Sequence, residues 1–240
     1  MHFDPEYARK VRGFYVPFFE GCESVLDIAT GRGEFLGLMR EAGIGAVGVD
    51  LDPLMVKAAR TAAYEVAEAD VFDYLRGREN AFDGVFSAHF IEHLPSERVV
   101  ELFGLCGRAL RPGGRLVLCT PNPASLPTLQ RQFWWDATHV RMYDVELLRF
   151  FAAGAGFTDV EGGVNPLNDP GCPIDLAALQ PPPLRRLPAR GRLAAALGLR
   201  RLDQRTQEMH HHLKVLSDSL AGLVRELYAP SEIYIRGIKP

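Results

Sequence analysis

Two groups of polar side chains have the residue types and spacing for acid–base or metal chemistry. His89, Glu92 and His93 stand at positions i, i+3 and i+4, which would place all three on one face of a helix. They also match an inverted zinc-protease motif, although they could equally form a packed, hydrogen-bonded helix start. His139 could act as a general base because histidine changes charge near neutral pH, and Arg141 could bind a phosphate or carboxylate. The alternative for His139 is a hydrogen bond to a backbone carbonyl.

Aromatic residues could contact a substrate from two parts of the chain. Trp134 and Trp135 could form an apolar or sugar-stacking wall, and Tyr143 closes the same segment. Tyr15 belongs to a predicted N-terminal helix, closed by Pro17 and Gly21, for which Asp4 is a suitable N-cap. The same face of this helix carries Tyr7, Val11, Phe14 and Phe18. This helix could form a lid over a site, although core packing is the commoner use of such a stripe.

A glycine-containing turn follows the first predicted strand. An apolar run contains Asp27, and the turn after it contains Gly31 and Gly33 before a predicted helix begins. Ligands of open parallel sheets bind at the carboxyl ends of such strands, next to a helix N-terminus. A dinucleotide-binding fingerprint would need a third glycine at position 36, where this chain has Leu36. This difference argues against a nicotinamide dinucleotide.

Carboxylates end the second and third predicted strands. Asp50 could accept hydrogen bonds from both hydroxyls of a ribose. Asp70 could accept a hydrogen bond from an adenine amino group, with Leu51 and Val71 packed on the faces of the ring. The alternative is that both aspartates only cap the segments that follow them.

The scaffold that positions these residues is indicated by short apolar runs that alternate with longer helical stretches. This pattern is typical of a parallel sheet with helices on both faces. We predict strands at 24–28, 46–50, 64–68, 82–88, 114–119, 157–161 and 232–238. Besides the N-terminal helix, we predict helices at 34–42, 53–62, 97–110 and 144–155.

The segment 24–163 resembles a class I S-adenosylmethionine-dependent methyltransferase. The resemblance rests on VLDIATGRGEF at the turn, VGVDLD and EADV after the next two strands, and FDGVFSAHFIEHL and LRPGGRLVL further on. It implies an α/β fold with a Rossmann-like, doubly wound sheet of seven mostly parallel strands, helices on both faces and an antiparallel last strand. It also implies S-adenosylmethionine as the cofactor.

The resemblance assigns roles to the residues around the turn. Asp27, Gly31 and Gly33 would face the methionine part of the cofactor. Asp50 would bind the ribose and Asp70 the adenine. The first glycine of the family's turn is replaced here by Ala29, which still permits a tight turn. The predicted cofactor contacts further include Phe35, Leu51, Val71 and His89.

The acceptor side resembles bacterial methyltransferases associated with glycan and natural-product modification, through their D-x-T-H-x-R segment at residues 136–141. This resemblance implies O-methylation of a sugar or another small-molecule hydroxyl. His139 is then the predicted base, with Glu92 and His93 as further catalytic candidates. Some family members that act on hydroxyls hold a divalent metal at this place, so Mg²⁺ at His89, Glu92 and His93 is a further expectation. The alternatives are N-methylation of an amino sugar or small amine, and a non-catalytic cofactor-binding scaffold.

Charge is distributed unevenly along the 240 residues, whose net charge is −3. Residues 1–183 contain 16 Lys/Arg and 25 Asp/Glu, a balance of −9, whereas 184–240 contain 11 and 5, a balance of +6. An acidic catalytic part argues against a nucleic-acid substrate, because phosphate contacts need Lys and Arg. No transmembrane segment or signal peptide is evident in the sequence, which predicts a cytoplasmic protein.

The chain changes character after residue 163. We predict a methyltransferase core at 1–163, an insertion at 164–231 and a final core strand at 232–240. The insertion combines a proline-rich linker, an arginine-rich stretch at 185–205 that could contact an anionic membrane surface or glycan, and a heptad. A homodimer through this heptad is expected, and the alternative is that the helix folds back on its own domain. Its seam is formed by Leu199, Leu202, Thr206, Met209, Leu213, Leu216, Leu220, Leu223 and Leu227.

Overall fold

A computed structural model describes residues 5–178, 180–183 and 199–240. The predicted cap Asp4 and most of the arginine-rich stretch at 185–205 lie outside the described residues. The described chain divides into two compact units. One unit consists of Met1–Asp169 together with Pro230–Pro240, and the other of Pro170–Ala229.

Seven strands form one sheet in the order β3-β2-β1-β4-β5-β7-β6. The last strand, β7, is antiparallel to both of its neighbours, and every other pairing is parallel. The predicted seven-stranded α/β sheet with an antiparallel last strand is therefore confirmed. The strands are β1 Val25–Ile28, β2 Ala46–Asp50, β3 Val66–Glu68, β4 Phe82–Ala88, β5 Leu110–Pro121, β6 Thr158–Val164 and β7 Glu232–Ile238.

Helices cover both faces of this sheet because successive strand residues point to opposite sides. On one face, Leu26 and Leu118 pack with helices α4 to α6, and on the other face Val25 and Val117 pack with α2 and the N-terminal aromatics. The helices are α1 Pro5–Gly13, α2 Glu34–Glu41, α3 Pro53–Thr61, α4 Val71–Leu75, α5 Ser96–Ala109, α6 Val145–Gly154 and α7 Leu199–Leu227.

Aspartates fix where several of these helices begin. Asp52 accepts a hydrogen bond from the backbone N–H of Leu54, and Asp144 does the same for Glu146. Each satisfies a donor that the first helical turn leaves without a partner. The short helix α4 was not predicted, because five residues are too few to reveal a helical period.

The second unit contains the long helix α7. Six described seam residues of its heptad are 39% to 66% exposed, namely Met209, Leu213, Leu216, Leu220, Leu223 and Leu227. Within the described ranges, no helix combines the length and apolar character that crossing a membrane requires.

Candidate functional site

The turn after β1 is built from residues with a left-handed backbone. Ala29, Gly31 and Gly33 have φ angles of 54°, 59° and 85°. A non-glycine residue in this region is held at a cost of roughly 1 kcal/mol or more, which explains why glycine would be the usual residue at the position of Ala29. A Cβ atom on Gly33 would lie 2.6 Å from Cδ2 of Tyr64. The turn is therefore tight, and it presents backbone N–H groups at the start of α2.

Asp27 is a buried carboxyl group beneath this turn. It is 3% exposed and accepts a hydrogen bond from the Thr30 hydroxyl. Burial raises the pKa of Asp27 to about 7, although the Thr30 hydrogen bond and the positive charge of Arg12 lower it. A ligand cation placed against Asp27 would stabilise the ionised form.

The two predicted nucleoside contacts lie at the ends of β2 and β3. Asp50 accepts hydrogen bonds from the backbone N–H of Gly31 at 2.8 Å and of Asp52 at 2.9 Å. Asp70 caps α4 by accepting from the N–H groups of Phe72 and Asp73, both through Oδ1. Each carboxylate oxygen can accept more than one hydrogen bond. These structural bonds are therefore compatible with the predicted ribose and adenine contacts.

The hydrophobic members of the predicted cofactor set differ in their exposure. Leu51 is exposed, whereas Val71 and Phe35 are buried. Phe35 stacks on Phe86 with ring centroids 3.8 Å apart. Leu51 is thus accessible to a bound ring, and Phe35 supports the turn from the core.

The acceptor side brings together Glu92, His93 and His139, whose ligand-type atoms lie within 4.8 Å of one another. A short 3₁₀ turn after β4 carries the first two residues. The backbone carbonyl of Glu92 accepts hydrogen bonds from the N–H groups of Val140 at 2.8 Å and Arg141 at 3.3 Å. These bonds fix residues 136–141, which include His139, against the 3₁₀ turn that carries Glu92 and His93.

Hydrogen bonds determine which ring nitrogens of the two histidines carry a proton. Nδ1 of His139 donates to the backbone carbonyl of Phe133 at 2.6 Å. The Thr138 hydroxyl donates to Asp136 and therefore accepts from Nδ1 of His93 at 2.8 Å. When neutral, both imidazoles consequently have the acceptor lone pair on Nε2. An acceptor nitrogen of this kind can take a proton from a substrate.

His89 lies between two carboxylates, which conflicts with the metal-ligand role expected for it and leaves its predicted contact with the cofactor as a prediction. Its Nδ1 lies 3.2 Å from Glu92 and its Nε2 lies 2.6 Å from Glu232. The His89 side chain is 41% exposed, although both of its nitrogens face carboxylates. Desolvation of the ring lowers the pKa of His89, but hydrogen bonds to Glu232 and Glu92 outweigh this effect and raise the pKa to about 10. The two carboxylates therefore favour the protonated form of His89.

The donor set around Glu92 does not fit the expected Mg²⁺. His89 has both nitrogens engaged by carboxylates, and His139 stands in its place beside Glu92 and His93. Two imidazoles and one carboxylate are a poor match for Mg²⁺, which prefers oxygen ligands. Both oxygens of Glu92 already accept hydrogen bonds, from His89 and Thr120. The residues present therefore do not fit Mg²⁺.

The predicted substrate contacts separate into exposed and buried residues. Trp134 and Trp135 are 69% and 52% exposed. Arg141 donates to the Ser96 hydroxyl at 2.6 Å. Tyr15 and Tyr143 are fully buried, and their hydroxyls donate to Glu232 and to the carbonyl of Leu94 respectively. The two tyrosines thus support the site from the core and do not face a substrate, contrary to the expectation from the sequence.

Three polar residues around His89 were not predicted as members of the site. Glu232, Asn165 and Thr120 are buried and belong to its hydrogen-bonded surroundings. Each stands at or just beyond the end of a strand, and no motif in the sequence marks it. Only the sheet topology brings them together.

A family model described as a methyltransferase domain matches residues 2–161. The chain belongs to the S-adenosylmethionine-dependent methyltransferases. A crystal structure of such an enzyme from Archaeoglobus fulgidus superposes with a TM-score of 0.77 at 30% identity, covering 98% of this chain and 95% of that one. The phosphoethanolamine N-methyltransferase 2 of Haemonchus contortus, solved with S-adenosylhomocysteine, shares the fold at 19% identity and a TM-score of 0.60, covering 95% of this chain and 52% of that one.

Curated relatives of this methyltransferase match over a shorter segment. The ubiquinone biosynthesis O-methyltransferase of Xanthomonas oryzae pv. oryzae is 33% identical over 104 residues, which are 41% of this chain and 43% of that protein. The match thus spans less than half of the length of this relative.

The residues at the turn fit the cofactor that the family implies. The methionine part of S-adenosylmethionine has an ammonium and a carboxylate group. The buried carboxyl of Asp27 suits the ammonium, and the N–H groups at the start of α2 suit an anion. Asp50 reaches the same turn through Gly31.

Proposed function

We propose that this methyltransferase O-methylates a small-molecule hydroxyl, with a sugar or glycan as the acceptor class, and that His139 is the general base. The observation that carries the proposal is the orientation of His139, whose Nδ1–H is held by the Phe133 carbonyl so that Nε2 is the acceptor. A hydroxyl acceptor must lose its proton during methyl transfer, and a positioned histidine supplies that function.

The chemistry follows from this placement. When bound, the cofactor supplies a methyl group on a positively charged sulfur. That methyl group would be transferred to the acceptor oxygen, with the demethylated cofactor as the leaving group, and Nε2 of His139 would take the proton that the acceptor hydroxyl loses. The Phe133 carbonyl holds the ring orientation throughout. His93, whose ring centroid lies 4.8 Å from that of His139, lines the same space.

The glycan class is supported by the exposed aromatic wall. Trp134 is held by a hydrogen bond from its Nε1 to the carbonyl of Leu129, and Arg131 lies over the ring of Trp135. Exposed and ordered indole faces suit the apolar faces of sugar rings. The curated O-methyltransferase relatives support a hydroxyl acceptor, although they share less than half of their length with this chain.

Substitution of the proposed base tests this function. We expect His139→Ala to lower turnover about a hundredfold. The affinity for S-adenosylmethionine should stay unchanged, because His139 belongs to residues 136–141, the acceptor segment, and not to the predicted cofactor contacts. The measurement is methyl transfer to a panel of neutral sugars, amino sugars and phenols. His211→Ala, on the described part of α7, is the matched control and should have no effect.

The panel also separates the alternatives. Turnover of amino sugars that survives His139→Ala would contradict the proposed base and favour N-methylation, since a neutral amine needs no base. Cofactor binding without turnover of any acceptor would favour a non-catalytic scaffold.

We further propose that α7 pairs with α7 of a second copy of this chain. The exposed seam defined above repeats at alternating steps of three and four residues, the spacing of a coiled coil. An antiparallel arrangement would bring Arg205 of one copy near Glu226 of the other, two exposed side chains of opposite charge that flank the seam. A 29-residue helix extends about 43 Å, which is long enough for several layers of such contacts.

A further inference from the structure

Glu232, the first residue of β7, is a buried carboxylate on which several segments converge. It is 1% exposed. Its Oε1 accepts from the Tyr15 hydroxyl at 2.5 Å and from Nδ2 of Asn165 at 2.8 Å. Its Oε2 lies 2.6 Å from Nε2 of His89. Asn165 also donates to the carbonyl of Val11 at the end of the chain's first helix.

The same hydrogen-bonded chain continues from His89 to the acceptor segment. Nδ1 of His89 lies 3.2 Å from Oε1 of Glu92, whose Oε2 accepts from the Thr120 hydroxyl at 3.0 Å. The backbone carbonyl of Glu92 then accepts from Val140 and Arg141, directly after the proposed base. A continuous path of polar contacts therefore joins the N-terminal segment, β7 and β5 to the acceptor segment.

Burying charged groups in this way lowers the stability of the fold unless each charge has a partner. A buried carboxylate must be paired, and removing one partner of such a pair strongly destabilises the fold, whereas well-packed apolar residues in place of both partners are often as stable. His89 also has a left-handed backbone, with φ at 54°, and such conformations cluster at functional sites. Stability alone does not require these residues, so a role in the site accounts for them better.

We propose that Glu232 is a positioning residue that holds His89 between two carboxylates, and thereby fixes Glu92 and the acceptor segment that carries His139. Glu232 does not touch the reacting atoms and acts through His89. This inference rests on the proposed function, because it takes the segment of His139 as the acceptor side.

Glu232→Gln tests the inference because it preserves the shape of the side chain and removes its charge. We expect nitrogen-15 NMR of the histidine side chains, with S-adenosylhomocysteine bound, to show His89 with both nitrogens protonated in the wild type. In the variant we expect this signature to be lost and the Nδ1 resonance of His139 to shift. An unchanged His139 resonance would overturn the inference.

Kinetics provide a second readout that distinguishes positioning from a general structural defect. For an acceptor that the sugar panel identifies, we expect Glu232→Gln to lower kcat at least tenfold while the calorimetric affinity for S-adenosylmethionine stays within about twofold. In a double-mutant cycle, Glu232→Gln should add little to His139→Ala, because both act on one segment. Additive losses would contradict the inference.

A second variant, Tyr15→Phe, tests the same inference. Tyr15→Phe removes one hydrogen bond to Glu232 and retains the buried ring, so it should shift the His139 resonance in the same direction by less, even if Glu232→Gln does not fold. Failure of the proposed base, seen as full activity of His139→Ala, leaves the NMR test of Glu232 intact. The two proposals can therefore fail separately.

Discussion

At the scale of single residues, Asp27 links the physics of burial to cofactor binding. Its carboxyl group is buried beside the turn, and burial raises its pKa to about 7. Below that pH the group is neutral in the free protein, so an Asp27 that pairs with the ammonium group of the cofactor, as we propose, would lose its attraction for that group. Binding at lower pH must therefore include loss of a proton, which weakens the observed affinity.

This reasoning predicts that the affinity for S-adenosylmethionine falls as the pH is lowered through about 7. The fall should approach tenfold per pH unit, because one proton is released on binding. Calorimetry between about pH 5.5 and 7.5 measures it. Asp27→Asn is the control, and its affinity should be weak and nearly independent of pH. A wild-type affinity that stays constant across this range would show that Asp27 does not pair with the ammonium group.

Residue types and local spacing could identify the strand-end carboxylates, but not their full environments. The sequence places Asp27, Asp50 and Asp70 at strand ends because apolar runs precede them. It could not show that His89 lies between Glu92 and Glu232, since Glu232 follows a long insertion and reaches His89 only through the sheet. For the same reason, the burial of Tyr15 and Tyr143 could not be distinguished from exposure on a lid.

At the scale of elements, the sheet explains why distant residues meet. One end of the sheet, perpendicular to the strands, is formed by the carboxyl ends of β1, β2 and β4 and by the start of the antiparallel β7. Alternating apolar runs and amphipathic helices predicted this architecture, because each short run is bounded by turns. Helix ends were harder to predict. The N-terminal helix was predicted to include Tyr15 and to be closed by Pro17 and Gly21, whereas α1 ends at Gly13 and a separate 3₁₀ turn follows at Val16–Phe19.

The helix α7 provides the prediction at this scale. Replacing Leu213 and Leu220 together with aspartate should convert a dimer to a monomer, since it places charges in the middle of the proposed seam. Sedimentation equilibrium measures the change. Val215→Asp is the matched control because Val215 is equally exposed on the same helix but lies off the seam. A wild-type protein that sediments as a monomer at micromolar concentration would contradict pairing through α7.

At the scale of the whole molecule, an acidic part of the chain is followed by a basic part. Residues 1–183 have a balance of −9 and residues 184–240 a balance of +6. The prediction that the substrate is not a nucleic acid rests on the acidic part, which contains the D-x-T-H-x-R segment at residues 136–141. The family match at residues 2–161 lies within this acidic part, whereas α7, through which we propose pairing, lies in the basic part.

The central claim is that the turn after β1 is a methyl-donor site. Isothermal titration calorimetry of the full chain with S-adenosylmethionine, and then with S-adenosylhomocysteine, tests it most directly. We predict that both bind at one molecule per chain, and that Asp50→Ala weakens both because it removes the ribose contact. Absence of binding to either compound at neutral pH, by a wild-type chain shown to be folded, would contradict the account.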